Sequence, residues 1–203
     1  MTVFHGTVKN DVFDESSDTS SDTFDLYKGG EDTVIAGSGD DIINMGASLD
    51  AGDRLNGGAG KDVVTLHGDY SAGLRFDDLT IQNIEALRLG AGDDYSLTTA
   101  DGNVAAGARL IINGAKLGAG DQLTFDGSAE TDGHFLIYGG AGDDTLTGGA
   151  KADVFHLENG GNDTIHGGGG NDTFYLGGAF TSADSIDGGS GNDTLVIAGG
   201  YDV

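Results

Sequence analysis

Residues 167–175 read Gly167-Gly168-Gly169-Gly170-Asn171-Asp172-Thr173-Phe174-Tyr175. Glycine reaches positive φ without a Cβ clash, so the first six residues can reverse the chain. Thr-Phe-Tyr then sets one large apolar side chain on one face and its two neighbours on the other, as in a strand. Three residues make too short a strand to stand alone. The segment gains stability only if many copies stack and bury the phenylalanine column between them.

The copies exist. Residues 139–147 (GGAGDDTLT), 188–196 (GGSGNDTLV) and 57–65 (GGAGKDVVT) fit the same nonapeptide, GGxGxDxUx, where U is a large apolar residue. Residues 36–44 (AGSGDDIIN) differ only at the first glycine. Degenerate copies at 6–14, 17–25, 27–35, 48–56, 148–156, 158–166 and 179–187 keep aspartate sixth and an apolar residue eighth. The eighth-place residues Phe24, Ile43, Val64, Leu146, Phe155, Phe174 and Leu195 are expected to form the core. A longer period overlies the short one. Residues 22–72 align with 153–203 at a constant offset of 131, with 18 identities in 51 positions and matching phase breaks at 45–47 and 176–178. The two ends are copies of one module. Val203 falls opposite Ala72, where the first copy runs on; the expectation is either a segment of a longer repetitive protein or a natural end at a module boundary.

The intervening residues 73–136 hold β-type runs at 79–81, 84–89, 95–98, 109–112, 123–125 and 135–138, separated by Gly/Ala/Asp turns. They show no long 3.6-residue apolar period. The expected architecture is all-β, a parallel β-solenoid. It divides into a first repeat block (1–72), an irregular connector of larger, mostly metal-free coils (73–136) and a second block (137–203). A separate small β-domain in the middle is the alternative.

Composition narrows the partners. The 203 residues include 39 Gly, 29 Asp and only 5 Glu, with no Pro, Cys or Trp, and a formal net charge of −25. Aspartate beside glycine points to tight turns and short carboxylate ligands. The charge speaks against nucleic acid, whose phosphates would be repelled. No apolar run is long enough to span a membrane, and residues 1–5 lack the pattern of a secretory signal peptide. Without cysteine there is neither a disulfide framework nor a thiolate metal site. Glycine carbonyls and aspartate carboxylates make an all-oxygen donor set, which suits Ca²⁺ better than Mg²⁺.

These repeats resemble the repeats-in-toxin (RTX) family of secreted calcium-binding proteins, strongly over 6–65 and 139–196. The resemblance implies a right-handed parallel β-roll with several Ca²⁺ ions between turns i and i+2. It pairs Asp22 with Asp41, Asp32 with Asp53, Asp41 with Asp62, Asp144 with Asp163, Asp153 with Asp172, Asp163 with Asp184, and Asp172 with Asp193. Carbonyls of Gly37, Gly39, Gly58, Gly60, Gly140, Gly142, Gly168, Gly170, Gly189 and Gly191 would complete the metal shells. Lys151 stands in the fourth place of its repeat, and residues 17–20 and 179–182 contain no glycine, so sites on those turns are expected to be weaker. Asp163 and Asp172, flanked by the best glycine turns, are the first candidates. Out-of-phase acids such as Asp14, Asp18, Asp77, Asp78 and Glu85 read as solvated surface. Seven ions would bring 14 positive charges against the −25.

The resemblance further implies bacterial type I secretion of an open chain that folds on meeting external calcium. The expected role is a non-enzymatic extracellular or cell-surface module, with cell-surface polysaccharide or neighbouring modules as partners. The alternatives are a module of a secreted protease, lipase or polysaccharide epimerase, and a glycan-binding solenoid face. The sequence offers no G-x-S-x-G elbow, no phosphate loop ending in GK[ST] and no EF-hand loop. His156 and His166 fall in successive repeats, hence on opposite sheets, which argues against a histidine metal site.

Overall fold

The computed structural model describes residues 1–199. The alternation of one apolar residue and two turn-to-solvent neighbours forms twenty short strands. The first nine are β1 (Val3–His5), β2 (Val12–Asp14), β3 (Thr23–Asp25), β4 (Thr33–Ile35), β5 (Ile42–Gly46), β6 (Arg54–Asn56), β7 (Val63–Leu66), β8 (Tyr70–Arg75) and β9 (Ile81–Gln82). There follow β10 (Ala86–Leu89), β11 (Tyr95–Thr98), β12 (Arg109–Asn113), β13 (Leu123–Asp126), β14 (His134–Tyr138) and β15 (Thr145–Thr147). The last five are β16 (Val154–His156), β17 (Thr164–His166), β18 (Thr173–Gly177), β19 (Ser185–Asp187) and β20 (Thr194–Ile197). Among the described residues the helical element is one 3₁₀ turn, Asp101–Asn103, and no helix is long and apolar enough to cross a membrane.

All pairing between these strands is parallel, as a solenoid requires. One ten-stranded sheet runs the length of the rod in the order β1-β3-β5-β7-β10-β12-β14-β16-β18-β20. Its inward row is a single apolar column: Phe4, Phe24, Ile43, Val64, Leu87, Ile112, Ile137, Phe155, Phe174 and Leu195 stand in register. Every expected core residue lies on an inward row, but Leu195 is 45% exposed because β20 is the outermost strand of its sheet.

The opposite wall is built in two pieces. Strands β2-β4-β6-β9 cover the first part, and β8-β11-β13-β15-β17-β19 cover the rest. Both pieces coexist only in the coil from β7 to β10, which visits all three sheets in turn. Coil length follows. Register steps along the ten-stranded sheet are 18–21 residues at both ends and lengthen to 25 between Ala86, Ile111 and Leu136. The chain thus continues as a solenoid through its irregular middle, where wider, three-sided coils hand the second wall from one sheet to the next. The observed strands follow the expected runs, with β8 an addition that straddles the expected boundary between residues 72 and 73.

The two copies match in backbone as well as in sequence. Strand register shifts at Asn44/Gly46 and again at Tyr175/Gly177, the same two phase breaks. Gly60 and Gly191 show why glycine is required in the turns. Their φ values are +147° and +143°, and a Cβ would collide with the carbonyl oxygens of Gly39 and Gly170 one coil before.

Candidate metal centres on the edges of the roll

Each aspartate at the sixth place sits where a turn enters a strand. There its side chain folds back against the edge of the stack. The backbone N–H of Asp22 donates to Asp41 Oδ1 (2.6 Å), that of Asp32 to Asp53 Oδ1 (2.7 Å), and that of Asp41 to Asp62 Oδ1 (2.8 Å). In the second block the same bond links Asp144 to Asp163 (3.0 Å), Asp153 to Asp172 (2.8 Å), Asp163 to Asp184 (2.9 Å) and Asp172 to Asp193 (3.0 Å). The structure therefore brings together all seven pairs named above, each on neighbouring coils of one edge.

The glycines line the same edges. The carbonyls of Gly37, Gly39, Gly168 and Gly170 point along the stack at Gly58, Gly60, Gly189 and Gly191, where any Cβ would strike them. Gly142 points likewise at Gly161, and Gly140 joins its turn by donating its N–H to Asp144 Oδ2 at 2.7 Å. The Gly37 and Gly168 carbonyls also accept from Ala59 and Ser190, which leaves each a second lone pair. The glycine-free turn before Asp22 keeps the arrangement, since the Glu15, Asp18 and Ser20 carbonyls face Gly37 and Gly39.

The electrostatics are those of an edge short of cations. Asp22, Asp32, Asp41, Asp53, Asp62, Asp144, Asp153, Asp163 and Asp172 are all buried, and none is within salt-bridge reach of a lysine or arginine. Burial pushes the carboxyls of Asp53, Asp62, Asp144 and Asp153 up to about 6 and that of Asp163 up to about 7, and it also raises Asp32, Asp41 and Asp172. The Oδ2 atoms of Asp32, Asp41, Asp62 and Asp172 are buried without a hydrogen-bond partner. A buried carboxylate oxygen without a partner is costly. Several such oxygens, on edges also lined by glycine carbonyls, offer the all-oxygen donors that a hard divalent cation takes. Asp184 is half-buried and Asp193 exposed; among the described residues no further coil covers the far side of their turns.

The carboxylate columns stop in the middle for a visible reason. In the register of the ten-stranded sheet, Leu110 and Phe135 take the place held by Glu85 in the coil before them and by Asp153 in the coil after, and both are buried. The column resumes where the Phe135 N–H donates to Asp153 Oδ1 at 2.6 Å. On the other wall Tyr70, Tyr95 and Leu123 occupy the equivalent row before Asp144, with the tyrosine rings stacked at 5.9 Å. One acid read as solvated surface belongs to a column instead. Glu85 Oε2 accepts the Asp62 N–H at 2.6 Å, standing in for aspartate where the coil has lengthened. Its longer side chain and out-of-phase position hid it from a nonapeptide template.

His156 and His166 lie on different sheets, in β16 and β17. His156 stacks between Tyr138 and Tyr175, with centroids 4.7 Å away on each side, in an outward ring ladder.

A stack of parallel coils with carboxylates and glycine carbonyls converging on its edges defines a calcium-binding β-roll. The pattern of the RTX calcium-binding nonapeptide repeat matches residues 28–47, 49–69, 136–160, 159–179 and 181–203, more than half of the sequence, and the chain belongs to that family. The unmatched stretch between 69 and 136 is the one where Tyr70, Tyr95, Leu110, Leu123 and Phe135 replace column aspartates. Comparison with curated proteins finds no match.

Proposed function

We propose that this RTX module is a structural element that is open without calcium and closes into a rod outside the cell. The observation that carries this reading is the set of buried, unpartnered aspartate oxygens at Asp32, Asp41, Asp62 and Asp172. A fold that gathers so many like charges needs counter-ions to be stable at neutral pH. The seven aspartate pairs are the proposed ligands, with the facing glycine carbonyls. Affinity in the range of extracellular modules, roughly 0.1–1 mM, would keep the chain open in the cytosol and closed outside. Bacterial type I secretion and a surface or extracellular location suit such a switch. The role is structural and non-enzymatic, whether in a surface protein or as the folding module of a secreted enzyme. Far-UV circular dichroism during a calcium titration tests the reading. Strand signal should rise cooperatively with calcium, and equal signal in chelator and in excess calcium would refute it.

A second reading, binding of polysaccharide, is favoured by one observation. The outer face of the ten-stranded sheet carries a groove of about 480 Å³ with Val63, Ala86 and Ile111 as its apolar floor and Lys61, Glu85 and Arg109 around it. A glycan array on the calcium-loaded protein, repeated with Arg109→Ala, tests it.

A further inference from the structure

The irregular middle carries an acidic cluster that no nonapeptide supplies. Asp101, in the 3₁₀ turn, lies beside Glu130 and Asp132 of the following coil, and one carboxylate oxygen from each falls within 4.8 Å of the others. Two oxygens each about 2.4 Å from one calcium ion can be no farther apart than that. The cluster is ordered by its own backbone. Asp101 Oδ1 accepts the N–H and the hydroxyl of Thr131, both at 2.8 Å. Glu130 Oε1 accepts the N–H groups of Asp132 (3.0 Å) and Gly133 (2.7 Å).

Acidic surfaces of this kind are common, and what separates this one is Glu130. Its side chain is fully buried, and Oε2 has no partner. None of the three acids is in an ion pair among the described residues. A buried carboxylate with one orphaned oxygen, facing two more carboxylates and no cation, is the condition a divalent ion relieves. The location fits as well. The Glu130 carbonyl accepts the Ala150 N–H at 2.9 Å, so this corner stacks directly on the glycine turn leading to Asp153. The edge that carries Asp153, Asp172 and Asp193 thus runs one coil further, with the longer side chain of Glu130 in a wider coil.

We propose that Asp101, Glu130 and Asp132 form an additional calcium site, outside the repeat pattern, that pins the third corner of the wide coils to the second roll. Because the site shares no carboxylate with the repeats, it can be deleted separately.

Native mass spectrometry of the intact chain in excess calcium counts bound ions. The variant D101N/D132N, at two exposed positions, should hold one ion fewer than the parent chain. In hydrogen exchange, calcium should protect residues 99–103 and 127–133 in the parent and leave them unprotected in the variant. E130Q, neutral and isosteric, should lose the same single ion, and it decides the matter if D101N/D132N fails to form strand signal. An unchanged ion count in both variants, while D163N/D172N loses ions, overturns this site and leaves the repeat sites standing. A parent chain that holds no calcium overturns both.

Discussion

Lowering the pH should do part of calcium's work. Burial raises Asp53, Asp62, Asp144 and Asp153 from 3.8 to about 6, and Asp163 to about 7. At about 1.4 kcal/mol per pH unit, a two-unit shift costs the metal-free fold about 3 kcal/mol per ionised carboxylate. These groups lie at an edge near water, so screening reduces that to about 1.5 kcal/mol each. Five of them come to roughly 7 kcal/mol, comparable with the roughly 5–15 kcal/mol that holds a whole domain folded. An acid whose folded pKa exceeds its unfolded value binds more protons in the fold. The metal-free fold therefore gains stability as pH falls through about 7 toward about 4, and loses it as pH rises. The calcium-bound rod and the open chain both keep these acids ionised above about pH 5, so the overall step between them exchanges few protons. Circular dichroism in metal-free buffer should show strand signal growing between about pH 7.5 and about pH 5. The calcium midpoint should move less than about threefold wherever the metal-free chain is open. A chain equally open at both pH values without metal would refute the reasoning, as would a midpoint climbing tenfold per pH unit.

Gly60→Ala and Gly191→Ala should each cost about 2–4 kcal/mol and raise the calcium needed for folding. Gly92→Ala, also at positive φ but with open space around it, should cost only about 1 kcal/mol. Asp172→Asn should raise the calcium midpoint and lower the ion count in native mass spectrometry, whereas Asp78→Asn, at an exposed residue, should change neither. Leu110→Ala, which empties a fully buried position in the middle of the rod, should destabilise the calcium-loaded protein by about 2–5 kcal/mol, seen as a lower melting temperature with the ion count unchanged.

The two repeat blocks were legible because their physics is local and periodic. A glycine turn, an aspartate at its end and an apolar residue two places on fix the side chain directions of each coil, so the inward column follows from phase, and the seven carboxylate pairs follow once the family resemblance is laid on that phase. The middle was legible as strands and as larger coils of a solenoid, but not in how its walls meet. Its coil length depends on three walls meeting, and nothing local in residues 76–85 announces that β9 and β8 will join different sheets. Glu85 escaped for the same reason, since it reaches the column only after the coil has grown to 23 residues. Asp101, Glu130 and Asp132 are 29 or more positions apart across the Asp101 gap and share no spacing with the repeat, so only the stacked corner brings them together.

The carboxylate ladder has a direction. In every pair the N–H belongs to the coil nearer the N-terminus and the accepting oxygen to the coil that follows, from Thr2 and Asp22 to Asp172 and Asp193. A coil that orders first at the C-terminal end offers a ready acceptor to the coil before it. One that orders first at the N-terminal end holds out an amide with nothing yet to receive it. The carboxylate ladder is thus polar, while the strand amides beside it run the other way, from the later coil to a carbonyl of the coil before, as Ile42 to Asp22 and Thr173 to Asp153. Seeded from its C-terminal end, each new coil finds a carboxylate oxygen already in place for the amide at its own column position.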